Sequence, residues 1–219
     1  MKLERERARV AAAARRLAAE GLVLGTAGNV SERAGDLVAI TPTGASLKDL
    51  TAGQVTVVDT SGQHVDGELA PTSESELHLG IYQRYDAGAV VHTHAPMATA
   101  LSCVLDELPV VHYQLLQLGG PIRVAPYRTF GTPELAEAAL DALDGRLAAL
   151  MANHGAIAWA HDVDAAVESS LLLEWACGVY WHAAAIGTPR TLSDDECQAV
   201  VTTALERRYG TTQKVDDGA

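Results

Sequence analysis

Val90-Val91-His92-Thr93-His94-Ala95-Pro96 is the stretch from which the rest of the chain can be read. Two β-branched valines favour extended backbone. Side chains alternate faces along a strand, so His92 and His94 project from one face, about 7 Å apart. Two imidazoles at that spacing can converge on one cation, or can be hydrogen-bonded residues of a core or rim. Pro96 has no N–H to give to a ladder, so the strand is expected to end there.

Upstream, Pro71-Thr72-Ser73-Glu74-Ser75-Glu76-Leu77-His78 opens a helix that runs to about Tyr85. Ser73 with Glu76 fits a capping box. The alternative is that Thr72 and Ser73, at a helix N-terminus, bind a phosphate while Glu74 does acid–base work. Spacing does not separate the two readings. Further upstream, Gly25-Thr26-Ala27-Gly28-Asn29-Val30-Ser31 reads as a tight turn, either ordinary or turning its N–H groups toward an anion. It lacks both the third glycine of a dinucleotide fingerprint and the Gly-Lys-Ser/Thr of a Walker loop. Residues 3–20 form a helix by the spacing of Val10, Ala13 and Leu17. Leu37–Ile40 and Val55–Asp59 are strands, and Thr41-Pro42-Thr43-Gly44 is a second turn. Ser61-Gly62 turns the chain back through Gln63 to Val65.

Downstream, a helix covers 96–105, and Val110–Gln114 is expected to be a strand on which His112 and Tyr113 face opposite ways. Arg123–Tyr127 is another strand. Thr132 caps a helix with Pro133 at its first position, running to about Leu143. Leu147–Ala152 is an apolar run, followed by Asn153-His154-Gly155 and Ala156-Ile157-Ala158-Trp159. His154, at a glycine-flanked kink, is a candidate third metal ligand. Residues 162–186 form a long, largely apolar helix, expected to be buried or at a subunit interface. Ser193 to Tyr209 is the last helix, with a Ser193/Glu196 capping box, and Gly210 onward is a polar tail. His64, His78, His161 and His182 read as surface or packing residues. Strands and helices alternate irregularly over one domain, 1–219. That predicts a mixed, mostly antiparallel sheet with helices on both faces.

The balance of 16 Lys+Arg against 28 Asp+Glu gives a net charge of −12, which argues against nucleic acid and anionic membranes as partners. Cys103, Cys177 and Cys197 are odd in number and widely spaced, which fits a reducing cytoplasm. The charged start, Met1 to Arg7, has no apolar signal core, and no run of about 18 apolar residues is present to span a membrane.

Six motifs occur in order: Gly25–Ser31, Thr41–Gly44, Thr72-Ser73-Glu74, His92-Thr93-His94, Ala125-Pro126-Tyr127 through Thr132, and Asn153-His154-Gly155. Together they resemble the class II aldolase/adducin family over roughly residues 5–210, and among its branches the fuculose-phosphate aldolases. The resemblance implies a three-layer α/β/α sandwich and a homotetramer with sites between neighbours. It implies Zn²⁺ on His92, His94 and His154, with Glu74 as the catalytic acid. A phosphate pocket would use Gly28, Asn29, Thr43, Gly44, Thr72 and Ser73. Tyr113 from a neighbouring subunit would be a second acid/base, with Phe130 and Tyr209 lining the aldehyde side. The reaction implied is cleavage of a 1-phosphoketose, such as L-fuculose 1-phosphate or 5-deoxyribulose 1-phosphate, into dihydroxyacetone phosphate and an aldehyde. Other members of the fold epimerise pentulose 5-phosphates, dehydrate methylthioribulose 1-phosphate, decarboxylate an oxo-sugar-acid phosphate, or serve as adducin-like scaffolds without the metal ligands. Independently of the resemblance, the chain has three lysines, Lys2, Lys48 and Lys214, none well placed for a Schiff base. Thr72 replaces the serine usual in the fuculose-phosphate branch, and Gln114–Leu118 is bulkier than its pattern there.

Overall fold

In a computed structural model, which describes residues 1–212, nine strands form one sheet. The strands are β1 (Asn29–Ala34), β2 (Leu37–Ile40), β3 (Thr56–Asp59), β4 (His64–Asp66), β5 (Ala89–Thr93), β6 (Glu107–Leu108), β7 (Ile122–Ala125), β8 (Ala148–Met151) and β9 (Gly155–Ala160). Their order is β4-β3-β2-β1-β5-β9-β8-β7-β6. The β7/β8 pair is parallel and the others are antiparallel. The helices are α1 (Glu4–Ala19), α2 (Ser75–Arg84), α3 (Pro96–Ser102), α4 (Pro133–Ala142), α5 (Val163–Ile186) and α6 (Asp194–Glu206).

Strand alternation divides the core in two. Ala89 and Val91 of β5 pack with α1, α3 and α5, through residues such as Leu17, Leu101 and Leu173. Val90 between them packs with α2 and α4, through Leu77, Ile81 and Leu135. The same switch occurs on β9, where Ala156 and Ala158 face one layer and Ile157 the other. This is the expected three-layer sandwich. Period-2 geometry puts His92 on the same face as Val90, toward α2.

Three sequence expectations are corrected. Asn29–Ser31 is not turn but the start of β1, paired with β5 in the register Asn29 to His92. Apart from Val30 and Ala34 its side chains are polar, so no apolar alternation marks it as a strand. Val110–Gln114 is not a strand. Pro109 ends β6, and Tyr113–Leu118 winds as a 3-10 helix with His112 as its cap. His112 therefore does not face away from Tyr113: the two rings lie 4.5 Å apart. Finally, Ser73 does not cap α2. Glu74 holds the cap position without a side-chain cap bond, and its backbone N–H is taken by Thr72 Oγ1 at 3.3 Å.

Other local expectations hold. Thr132 accepts from the Leu135 N–H with Pro133 at the first position of α4, and Ser193 and Glu196 form a reciprocal capping box. One face of α5, with Val163, Ala166, Val167, Leu173 and Cys177, is buried, whereas Trp181 and Ile186 are exposed. α6 buries none of its side chains and leaves Val201 and Leu205 in solvent. No helix among the described residues is long and apolar enough to cross a membrane. The tail from residue 213 lies outside the described residues.

Candidate metal centre

His92 is the last residue but one of the fully buried β5 and His94 follows just past the strand, its N–H donating to the Leu22 carbonyl at 3.1 Å. His154 comes from the β8–β9 turn, where Asn153 takes a left-handed conformation (φ 56°) that asparagine tolerates well. Two glycines let these segments close up. A Cβ on Gly155 would lie 2.2 Å from the Thr93 carbonyl oxygen, and one on Gly28 (φ +86°) 2.9 Å from that of His92. The three rings form a near-equilateral cluster with centroids 4.8, 4.9 and 4.9 Å apart. One ring nitrogen from each lies within 4.8 Å of the others.

The hydrogen bonding around the cluster fits a cation. His92 Nδ1 must donate to the Ala156 carbonyl, 2.9 Å away, so in a neutral ring Nε2 carries a lone pair. That nitrogen faces His94 Nε2 at 2.9 Å and Glu74 Oε2 at 3.2 Å. Glu74 Oε1 is buried without a hydrogen-bond partner, 3.4 Å from His154 Nε2. Several acceptors thus converge where protons are few, and three imidazoles with a nearby carboxylate are a donor set that could hold a divalent metal. Burial and the neighbouring His92 push His154 down to about 4, and burial with both neighbours does the same to His94, so these ligands are neutral at pH 7. Burial alone would raise the Glu74 carboxyl. The His92 ring beside it, the Asn29 Nδ2–H donated to it and the nearby His154 outweigh burial and hold it well below the usual carboxylate range.

Beside the cluster lies a cavity of about 430 Å³. Gly28, Asn29, Thr43, Gly44, Thr72, Ser73 and Phe130 all line it, together with Glu74, His94 and His154. The sequence motifs therefore meet in one place. Tyr113 and Tyr209 do not: their hydroxyls lie 3.1 Å apart at a separate surface cavity against α6. Sequence reading missed Arg128, which adds a cation to the wall, and His78. His78 is fully buried and bonded to both Ser31 and Asn29. Its spacing of four residues from Glu74, on one helical face, was the available signal.

The three-layer sandwich thus brings three histidines and a carboxylate, a donor set that could hold a divalent metal, to the wall of a cavity rich in hydroxyls. Residues 8–181 match the family described as Class II Aldolase and Adducin N-terminal domain, and the chain belongs to that family. It is 42% identical over 191 residues to the 5-methylthioribulose-1-phosphate/5-deoxyribulose-1-phosphate aldolase of Rhodospirillum rubrum, covering 86% of each chain. It is 42% identical over 183 residues to the L-fuculose phosphate aldolase of Escherichia coli K12, covering 83% of this chain and 85% of the other. A solved L-fuculose 1-phosphate aldolase superposes with a TM-score of 0.87 at 35% identity, over 91% of this chain and 95% of that one. The family and these relatives support a lyase of carbohydrate metabolism.

Proposed function

We propose that the protein is a zinc-dependent aldolase. It would cleave a 1-phosphoketose, L-fuculose 1-phosphate or a related deoxyketose such as 5-deoxyribulose 1-phosphate, reversibly into dihydroxyacetone phosphate and a small aldehyde. The observation that carries this reading is the Glu74 carboxylate set between His92 and His154 at the wall of the hydroxyl-rich cavity. His92, His94 and His154 would hold the metal, and zinc suits three imidazoles with an open position. When bound, it supplies Lewis-acid stabilisation for negative charge on the substrate's carbonyl oxygen.

The chain's own residues supply the rest. Thr43, Gly44, Thr72 and Ser73, with Gly28 and Asn29, offer hydroxyls and backbone N–H groups to a phosphate near the α2 N-terminus, without a lysine. Glu74, screened from bulk water, would give C3 a proton on cleavage in its protonated form and, as the carboxylate that this leaves, take that proton back from C3 in the reverse reaction. Tyr113 would take the C4 hydroxyl proton, with Phe130 and Tyr209 bounding the aldehyde. Because Tyr113 and Tyr209 lie apart from the histidines within one chain, this reading requires neighbours that share sites, as in a homotetramer. The exposed apolar residues of α5 and α6 are suited to such contacts. Lys2 and Lys48 are exposed and neither lines the cavity, which disfavours a Schiff base; Lys214 lies outside the described residues. The unpaired cysteines support a cytoplasmic setting.

The test is release of dihydroxyacetone phosphate by the zinc-loaded protein from L-fuculose 1-phosphate and 5-deoxyribulose 1-phosphate in parallel. Release from either supports the reading, and the relative rates identify the aldehyde. No release from both, with zinc bound, contradicts it and turns attention to epimerisation, dehydration or decarboxylation of related sugar phosphates.

A further inference from the structure

A line of buried hydrogen bonds runs from α2 through β1 to Glu74. Tyr82 Oη lies 2.7 Å from Ser31 Oγ, and Ser31 Oγ lies 2.7 Å from His78 Nδ1. His78 Nε2 meets Asn29 Oδ1 in a short contact of 2.5 Å, and Asn29 Nδ2 donates to Glu74 Oε2 at 2.9 Å. All five residues are at most 7% exposed.

Donor and acceptor chemistry fixes every direction along this line. An ionised Glu74 only accepts, so the Asn29 atom facing it must be Nδ2. Oδ1 then faces His78, and His78 must carry its proton on Nε2. His78 Nδ1 is left as an acceptor and takes the Ser31 hydroxyl proton, so Ser31 Oγ accepts from Tyr82. Burial holds the Tyr82 phenol protonated and His78 neutral, as this polarity requires. Every donor points toward Glu74, an arrangement in which each bond polarises the next.

We propose that His78 is a positioning residue for the reaction: by donating to Asn29 Oδ1 it fixes the carboxamide so that Nδ2 holds Glu74 Oε2. Glu74 Oε1 is thereby left toward the His154 side of the cavity. This rests on the aldolase reading for Glu74's task, but not for the bonding itself. It also gives the Asn29 side chain a duty apart from the phosphate. Without the His78 donor, the carboxamide can turn Oδ1 toward the carboxylate, and the two acceptors repel.

The first test needs no substrate. Nitrogen-15 NMR of histidine-labelled protein at neutral pH should show His78 protonated on Nε2 alone. The Nδ1–H tautomer or an imidazolium would overturn the proposal, whatever the reaction proves to be. The second test compares zinc-loaded His78→Phe and His78→Gln, the glutamine amide being able to donate to Asn29. The readouts are zinc content, kcat and KM for dihydroxyacetone phosphate release, and exchange of the C3 proton of dihydroxyacetone phosphate with deuterium from the solvent. We expect His78→Phe to keep its zinc and KM while kcat and exchange fall about 10- to 100-fold, with His78→Gln recovering most of the loss. Wild-type rates in His78→Phe, or equal losses in both variants, would contradict a positioning role. A wild-type protein that releases no product would overturn the aldolase reading alone and leave the tautomer result standing.

Discussion

The Glu74 Oε2 atom lies 3.2 Å from His92 Nε2, at the point where α2 meets the end of β5. The carboxylate thus belongs to the histidine cluster and to the cavity at once. Glu74→Gln keeps the size of the side chain but removes the charge and the acid. We expect zinc content to be retained and product release to fall by about 10²- to 10⁴-fold, measured by a coupled assay for dihydroxyacetone phosphate.

Each histidine of the cluster is expected to be needed for the metal. His154→Ala should lower the zinc bound per chain, measured by elemental analysis after dialysis, to well below one. His161→Ala, on an exposed ring outside the cluster, should leave zinc content unchanged.

The close approach of Gly155 to Thr93 leaves no room for a methyl group. Gly155→Ala should destabilise the fold by about 3 kcal/mol, the upper range for overpacking, and weaken zinc binding by displacing His154. Denaturant unfolding and zinc retention would measure the two effects separately.

Stability should depend on pH through His78. Burial pushes its pKa down to about 3, with the nearby His92 adding to the effect, whereas in the unfolded chain it titrates near 6.5. The unfolded state therefore binds the extra proton between these values, and stability falls as pH drops from about 6.5 toward 3. Urea unfolding of metal-free protein should show a steeper loss from pH 7 to 4.5 for the wild type than for His78→Gln. Equal slopes would contradict a neutral buried His78.

Shared active sites make a further prediction. Tyr113→Phe and Glu74→Gln should each be slowed at least about 10²-fold alone, and mixed oligomers of the two should regain activity. An intact site would form wherever one chain brings Glu74 and its neighbour brings Tyr113. Activity that never recovers after subunit mixing would contradict sites built from two chains.

Most of the fold was legible because its strongest signals are local. Val90-Val91 before a His-x-His and a proline defines a strand with an end, and Thr132-Pro133 and Ser193–Glu196 define helix starts. β1 escaped because Asn29, Ser31 and Glu32 are buried polar residues with tertiary partners. Their side chains are chosen for the site and its supports, so the strand lacks an apolar alternation. His112 and Tyr113 misled in the opposite way: a short run rich in β-branched and aromatic residues reads as a strand, but Pro109 and the packing of Leu115 and Leu118 wind it into a 3-10 helix. The histidines and Glu74 could be named from the motifs. The hydrogen-bonded line through His78 could not, because it depends on register between α2 and β1, which spacing along the chain does not encode.

The central claim is tested most directly by returning zinc to metal-stripped protein while following dihydroxyacetone phosphate released from 5-deoxyribulose 1-phosphate and L-fuculose 1-phosphate. The account predicts activity that rises with added zinc and saturates at one ion per chain, with Glu74→Gln slower by at least about 10²-fold at every zinc level. Cleavage that proceeds without metal, or at an undiminished rate without the Glu74 carboxylate, would contradict it.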